Sequence, residues 1–305
     1  MAVRKLLSVV VVGRDDGYGD TGLSPFGLVP KLNFMERLVF TIKNNVQNFL
    51  TEFSISEIQY IIVDWSPVEK GRFIYKNEYF QNNLPKLVQE QIVKHVIVDP
   101  EAVRDSGHSP KKFYEYYAKN VGIRQSDEAE YCLITNPDIF IPLELTNKIS
   151  KAIKENDPKK YYRPYSRIDC DEQLNKLAEG IIFTQNGLFQ DQVLGTPASG
   201  DFTMAKTETL VNLGKGYNEL SSDHRTSIKQ SSMDGELIWN LYNNGVMPSL
   251  LTSSILHLDH SKDIRGGSMS DVPYENSTSW GMLNYLRSKI ESNVFLINNV
   301  KSTGV

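Results

Sequence analysis

A short apolar run near the start of the chain restricts the fold more than any other feature of the sequence. Residues 6 to 12 are almost all β-branched or aliphatic, which is typical of a parallel strand covered on both faces. Apolar residues then recur at helical spacing between 32 and 53, and a second apolar run follows at 58 to 64. A strand, a helix and a strand in this order require a right-handed crossover between parallel neighbours. The sequence therefore predicts an open α/β sheet.

The same alternation continues along the chain. No glycine-, serine- or proline-rich linker interrupts it, so we expect one large α/β domain with a C-terminal extension. The further predicted elements are strands at 93 to 98, 131 to 135 and 250 to 258, helices at 109 to 126, 143 to 155 and 233 to 244, a polar strand or loop at 161 to 171, a strand and turn at 181 to 189, and a strand entry at 197 to 204.

Composition and charge exclude several classes of protein. The formal charge of -4 and the absence of like-charge blocks argue against nucleic-acid binding. Cys132 and Cys170 are the only cysteines, which fits neither a disulfide framework nor a zinc cluster. The apolar start lacks a cleavage site and is followed at once by Arg14 and Asp15, and no apolar stretch approaches the ~20 residues of a transmembrane helix. We expect a soluble, cytoplasmic protein.

Charged residues follow the first two predicted strands at the points where they end. Gly13, Arg14 and Asp16 come after the first strand, and Asp64 and Trp65 end the second. Carboxyl ends of parallel strands meet at one edge of a sheet, where ligands bind in open α/β folds. The loop lacks the G-x-G-x-x-G order of a dinucleotide site. We interpret it as a nucleotide edge, with Asp64 accepting from a base N–H and Trp65 supplying stacking or shape; the alternative is a solvated acidic turn.

An Asn136-Pro137-Asp138 turn follows the predicted strand at 131 to 135. A carboxylate at that strand end can hold a divalent cation against phosphate oxygens, although both polar residues are also ordinary turn formers. His257 and His260 are three residues apart and would point to opposite sides of an extended chain. One imidazole with Asp138 is therefore the more economical ligand set for Mn²⁺ or Mg²⁺, and each histidine is alternatively a satisfied polar residue.

Asp234 lies at the start of the predicted helix at 233 to 244. The helix macrodipole stabilises a carboxylate there in its ionised form, as a general base requires. The alternative is a simple N-cap. A carboxylate can serve both purposes.

These segments, in this order, resemble the GT-A class of nucleotide-sugar glycosyltransferases, family 2-like, over about residues 6 to 265. The resemblance rests on Val12 to Asp16, Val63 to Trp65, Lys119 to Arg124, Tyr131 to Ile141, Tyr162-Arg163 through Arg167 to Asp169, Ser199 to Phe202, Leu213 to Glu219, Met233-Asp234 and His257 to His260. It implies a GT-A, Rossmann-like open mixed sheet with helices on both faces. Residues 1–142 would bind the nucleotide sugar, 143–270 would form the acceptor half, and 271–305 would be the extension.

The resemblance also implies roles for individual residues. Asp16 and Asp64 would hold the base, Asn120 and Arg124 the ribose or sugar, Asp201 the donor sugar, and Asp138 and His257 the metal, with Asp234 as the base. Gly13, Arg14, Trp65 and Asn136 would complete the nucleotide site, and Arg265 is a positive side chain that could carry diphosphate charge without a metal. The chain departs from the family at Asn136, where the D-x-D metal motif has its first aspartate, and at Met233, where many relatives have an acid.

The sequence thus favours transfer of a sugar from a nucleoside-diphosphate donor, with UDP expected, to a hydroxyl of a glycan or glycoconjugate, with inversion. Two alternatives remain open. A sugar-phosphate nucleotidyltransferase shares the open sheet, but it needs positive charge around a triphosphate where this loop carries Asp15, Asp16 and Asp20. A catalytically inactive module that binds nucleotide sugar or carbohydrate is the alternative without an enzymatic reaction.

Overall fold

One mixed β-sheet organises the protein. The computed structural model describes residues 5–17, 20, 22–24, 26–65, 67, 72–105, 113–126, 128–178, 201–214, 216–217, 233–260, 285–291 and 294–299. Within these ranges the strands are β1 (Lys5–Gly13), β2 (Ile58–Trp65), β3 (Val93–Val98), β4 (Ala129–Thr135), β5 (Ile139–Phe140), β6 (Lys160–Cys170), β7 (Lys176–Ala178), β8 (Phe202–Lys206), β9 (Met247–Leu258), β10 (Tyr285–Glu291) and β11 (Val294–Asn299).

The helices within the same ranges cover both faces of the sheet. They are α1 (Phe34–Phe49), α2 (Glu78–Asn83), α3 (Lys86–Gln91), α4 (Pro100–Asp105), α5 (Glu115–Gln125), α6 (Leu143–Glu155), α7 (Thr207–Thr209) and α8 (Met233–Asn243), with a 3₁₀ turn at Ile74–Lys76 and a π turn at Leu210–Gly214. None of these helices has both the length and the apolar character needed to span a bilayer.

The strand order is β10-β11-β3-β2-β1-β4-β8-β6-β9-β5, with β7 paired to β6. Strands β3, β2, β1 and β4 are parallel neighbours, as the β-α-β pattern predicted. Strand β8 is antiparallel to both β4 and β6, and β9 is parallel to β6. Strands β1, β2, β4, β6 and β9 therefore all run in one direction, and their carboxyl ends share one edge with the start of β8.

Alternation along β1 builds a separate core on each face. Val9 and Val11 pack with α1 and α6, whereas Val10 and Val12 pack with α5 and α8. Helix α5 lies so close to the sheet that a Cβ on Gly122 would overlap the side chain of Val10. The open mixed α/β sheet with helices on both faces that the resemblance implied is confirmed.

Most predicted elements agree with the structure, and one start is wrong. Helix α5 begins at Glu115 rather than Ser109; Phe113 and Tyr114 precede it without helical structure, and 106–112 lie outside the described residues. The segment at 161 to 171, open between strand and loop, is strand β6. The strand predicted at 181 to 189 lies outside the described ranges. In the segment predicted to be a C-terminal extension, strand β11 pairs with β3 and β10 pairs with β11, so both belong to the same sheet.

Candidate active site at the carboxyl edge of the sheet

Asp64 lies in register with Gly13 on the neighbouring strand, at the shared carboxyl edge. Its side chain is almost fully buried, at 1% exposure. Oδ2 accepts a hydrogen bond from the Ile74 backbone N–H at 2.9 Å, whereas Oδ1 is buried and has no hydrogen-bond partner. Burial raises the pKa of Asp64 to about 7; Asp15 adds to the rise, while the Ile74 N–H and Arg14 oppose it. An unsatisfied buried acceptor of this kind is a place where an incoming N–H donor is stabilised.

The loop after β1 is held by its own charges. Arg14 pairs with Asp16 through Nε at 2.9 Å and Nη2 at 2.7 Å, and Asn77 donates to Asp15 at 3.1 Å. Gly13 is required where it stands, since a Cβ there would lie 2.5 Å from the ring of Phe34. The structure thus places Gly13, Arg14, Asp16 and Asp64 together, as the sequence predicted.

Three other residues assigned to the nucleotide site lie elsewhere. Trp65 follows Asp64 on the strand and so points to the opposite face, where it is fully buried against Tyr114 and Tyr117. Its ring is buried and presents no face to a base, so the predicted stacking is wrong. The alternative prediction, that Trp65 helps to shape the site, would apply from within the core. The side-chain amide of Asn120 donates to the Tyr217 carbonyl at 2.9 Å and accepts from its N–H at 2.7 Å. Asn120 is therefore a buried structural clamp.

Arg124 lies at the opposite edge of the sheet from the predicted site, because of the direction in which helix α5 runs. A helix that connects two parallel strands runs antiparallel to them, so the end of α5 lies at the amino edge of the sheet. The contact from Lys94 Nζ, at the start of β3, to the carbonyl of Gln125 marks that edge. The predicted contact of Arg124 with ribose or sugar is therefore wrong.

Asp138, His257 and His260 come together in one cluster. Their candidate ligand atoms all lie within 4.8 Å of one another. Nε2 of His260 is 3.0 Å and Nε2 of His257 is 3.7 Å from Asp138 Oδ2, and the buried Oδ1 of Asp138 has no hydrogen-bond partner. Burial alone would raise the pKa of Asp138, but the two histidines more than offset it, so this pKa lies well below its usual range.

The set of one imidazole with Asp138, preferred for an extended chain, is not what the structure shows, because both His257 and His260 face Asp138. Strand β9 ends at Leu258, whose N–H bonds the Asp138 carbonyl at 2.9 Å, and the Asp259 N–H bonds the Cys170 carbonyl at 2.8 Å. His260 lies two residues beyond the end of the strand. Because the period-2 alternation stops at 258, both rings reach the same carboxylate, with centroids 5.2 Å apart.

Helix α1 fixes the turn that carries Asp138. Thr41, Asn45 and Asn48 are spaced along one face of the helix. Thr41 donates to the Pro137 carbonyl at 2.6 Å; Asn45 donates to the Ile139 carbonyl at 2.9 Å and accepts from the Ile141 N–H at 2.7 Å; Asn48 donates to the Ile141 carbonyl at 2.8 Å. We call these three residues the α1 clamp.

Sequence reasoning missed the residue that organises the rest of the site. Arg167 donates to Asp169 Oδ1 from Nε at 3.1 Å and Nη2 at 2.9 Å, and to Asp201 Oδ2 from Nη1 at 2.7 Å. Asp169 Oδ1 lies 2.8 Å from Nδ1 of His257. Burial opposes ionisation of Asp169, but the contacts with His257 and Arg167 lower its pKa to about 2. The available signal was the alternation of Arg167 and Asp169 on one face of a polar strand.

The structure describes the side chain of only one of the two carboxylates predicted to be catalytic, Asp201 and Asp234. Asp201 is buried, and its oxygens accept from Arg167 and from Asn136, the latter at 2.8 Å. It is therefore a fixed part of the network. The backbone of Asp234 lies at the second residue of α8, but its side chain is outside the described part of the structure, as is Arg265.

Comparison with known proteins finds similarity in structure alone. No protein-family model and no curated protein sequence matches the chain. Among solved structures, it is similar to GalNAc-T7 with UDP, GalNAc and Mn²⁺, at 12% identity, 85% coverage of this chain and a TM-score of 0.47. It is also similar to the mannosyltransferase PcManGT from Pyrobaculum calidifontis with GDP-Man and Mn²⁺, at 12% identity, 84% coverage and a TM-score of 0.44. The match spans only 45% and 57% of the lengths of those two chains.

Proposed function

We propose that the protein is a metal-dependent glycosyltransferase that uses a nucleoside-diphosphate sugar, with UDP as the nucleotide. The observation that carries the proposal is the placement of two carboxylates on one edge, each with one buried oxygen that has no hydrogen-bond partner. Asp64 is the second-last residue of β2 and Asp138 follows β4, with β1 between them. At a strand spacing of about 4.8 Å, two steps across the sheet cover about 10 Å, on the scale of a nucleoside between base and phosphates.

The open oxygen of Asp64 favours uracil. Because Ile74 already occupies Oδ2, the carboxylate offers one strong acceptor, Oδ1. The uracil edge has a single ring N–H between two carbonyls, whereas guanine presents two adjacent donors that a carboxylate binds with both oxygens. A donated N–H favours the ionised form of Asp64 and so offsets its raised pKa.

The second cluster fits a divalent cation. Asp138 supplies a carboxylate oxygen and His257 and His260 supply imidazole nitrogens, a donor set that suits Mn²⁺ better than the oxygen-preferring Mg²⁺. A bound cation would neutralise charge that develops on the leaving diphosphate. The same donor set occurs in non-haem iron oxygenases, and the nucleotide edge at Asp64 is what favours the transferase.

The chain's own residues would then orient the sugar and activate the acceptor. Asp201, held by Arg167 and Asn136, is rigid and suited to accept hydrogen bonds from donor-sugar hydroxyls. Asp234, at the start of α8, is proposed as the base that takes the proton of the acceptor hydroxyl during a single displacement with inversion. Asp201 is less suited to that task, because both of its oxygens already accept a hydrogen bond.

Nucleotidyl transfer is less well supported. Arg14 is engaged by Asp16 within the loop where a triphosphate would have to bind, and Asp15 adds negative charge there. An inactive binding module would keep the nucleotide edge without turnover.

A nucleotide and product panel tests the proposal. Thermal shift is measured with UDP, GDP, CDP and ADP, each with and without Mn²⁺, and ligand at 100 times its dissociation constant adds about 2.7 kcal/mol to stability. We expect a UDP shift that grows with Mn²⁺, together with slow release of free sugar from UDP-sugars. Release of pyrophosphate from a nucleoside triphosphate would instead indicate a nucleotidyltransferase. Stabilisation without release or transfer would indicate a binding module.

A further inference from the structure

We propose that Asp169 is a positioning residue that presents Nε2 of His257 to the metal ion by holding the imidazole in one tautomer and one orientation. The inference rests on the metal site of the proposed function. It concerns a residue outside the Asp138, His257 and His260 cluster. Asp169 would act through His257 and would not touch the ion.

The sheet itself brings the two residues together. Asp169 and His257 are register partners on the parallel strands β6 and β9, so their side chains leave the sheet on the same face. Oδ1 of Asp169 lies 2.8 Å from Nδ1 of His257, whereas Nε2 of the same ring faces Asp138 Oδ2 at 3.7 Å. One ring nitrogen is thus turned to the carboxylate behind it and the other to the cluster.

The acceptor character of Asp169 selects the tautomer. An ionised carboxylate only accepts hydrogen bonds, so Nδ1 must carry the proton that it donates to Asp169. The opposite tautomer could accept from Nη2 of Arg167 at 3.2 Å, but it would set two acceptors against each other 2.8 Å apart. With the proton on Nδ1, the lone pair of neutral His257 lies on Nε2, where a metal ion needs it.

Arg167 keeps Asp169 in place. Its Nε and Nη2 both bond Oδ1 of Asp169, and its Nη1 is tied to Asp201 on the other side. Asp169 is therefore a fixed, charged acceptor rather than a mobile one. Carboxylates that accept from the distal N–H of a metal-bound histidine raise its basicity and orient its ring, and their loss costs 10- to 100-fold in metal affinity.

His260 contacts the Asp138 carboxylate at 3.0 Å, inside the cluster. Nδ1 of His257 lies 2.8 Å from Asp169, a carboxylate outside the cluster. The inference therefore assigns Asp169 to His257 specifically.

The test measures Mn²⁺ affinity without any donor, by calorimetry or by the electron paramagnetic resonance of free Mn²⁺. We expect Asp169→Ala to weaken Mn²⁺ binding about 10- to 100-fold, and Asp169→Asn, whose amide oxygen can still accept from Nδ1, to weaken it less. Asp259→Asn is the matched control, because it removes a neighbouring negative charge and should change affinity about threefold at most. Circular dichroism and thermal melting confirm that each variant folds.

A tautomer measurement separates positioning from general structural support. The ¹⁵N shifts of His257 in the metal-free protein should show a protonated Nδ1 in the wild type, and a shift of the proton towards Nε2 in Asp169→Ala. Unchanged Mn²⁺ affinity in a folded Asp169→Ala, or a wild-type His257 protonated on Nε2 but not on Nδ1, overturns the inference. If Asp138→Asn abolishes Mn²⁺ binding while Asp169→Ala leaves the affinity unchanged, only this inference fails. If the wild type binds no Mn²⁺, the metal site fails with it.

Discussion

Replacing Asp64 by asparagine should separate what this residue does for stability from what it does for binding. The amide has the same shape and cannot ionise. Its oxygen must face the Ile74 N–H, so its NH₂ takes the place of the open Oδ1. A donor then faces the donor of the base, and we expect UDP affinity to fall by about 1 to 3 kcal/mol, or roughly 5- to 150-fold.

The stability effect has the opposite sign and depends on pH. Burial raises the pKa of Asp64 from its ordinary 3.8 to about 7. Between these values the unfolded chain has lost the proton and the folded protein keeps it, so wild-type stability is full below pH 3.8 and declines as pH rises through about 7. With a tenfold change in an equilibrium constant worth about 1.4 kcal/mol, the loss is at most about 4 kcal/mol. The variant lacks this loss.

Urea unfolding from pH 4.5 to 8.5, in parallel with UDP calorimetry, measures both effects. The free energy of unfolding of Asp64→Asn relative to wild type should rise with pH up to about 7 and then level off, whatever its value at pH 4.5. Asp15→Asn is the comparison, since Asp15 lies at the same edge and contributes less than burial does to the raised pKa of Asp64; it should alter the pH dependence less than Asp64→Asn does. Parallel pH curves for the variant and the wild type would refute the burial argument, and unchanged UDP affinity would remove Asp64 from the base site.

The remaining predictions concern the metal, the base and the turn. Chelator should abolish turnover and Mn²⁺ should restore it; full activity in chelator would show that positive side chains carry the diphosphate charge. The Asp138→Asn variant should lose Mn²⁺ binding while its melting temperature stays within a few degrees of wild type. Asp234→Asn should slow transfer by about 10²- to 10⁴-fold with UDP binding nearly intact, and normal transfer there with a defect in Asp201→Asn would move the base to Asp201. Asn45→Ala should lower the free energy of unfolding by about 2 kcal/mol or more, because it leaves the buried carbonyl of Ile139 and the N–H of Ile141 without the hydrogen bonds that Asn45 supplies. A loss below about 0.5 kcal/mol would mean that water replaces the amide.

The parts of the fold that the sequence predicts well are those set by local patterning. Strands β1 and β2 follow from continuous apolar runs, and helix α6 follows from its amphipathic spacing and ends at Asn156 in the left-handed conformation. The start of α5 was missed because Ser109-Pro110 is a good local start signal, whereas Tyr114 instead packs against Trp65. That contact joins residues far apart in the chain, and local signals carry no trace of it.

The site divides in the same way. Asp64 and Asp138 could be placed from strand ends alone, because topology sends such residues to one edge. The paired histidines could not, since the end of β9 at Leu258 depends on main-chain bonds to Asp138 and Cys170. Asp169 was overlooked as a partner of His257 because the two are 88 residues apart and meet only through the pairing of β6 with β9.

The α1 clamp affects how the turn that carries Asp138 tolerates substitutions. Thr41, Asn45 and Asn48 grip main-chain atoms of residues 137, 139 and 141 and no side chain of the turn. The path of the backbone through the turn therefore does not depend on which side chains the turn carries. The side chain at 136 can therefore change without moving the carboxylate at 138. Because helix α1 holds the main chain of the turn, a different side chain at 138 or 136 should change which metal ion binds while the backbone keeps its position.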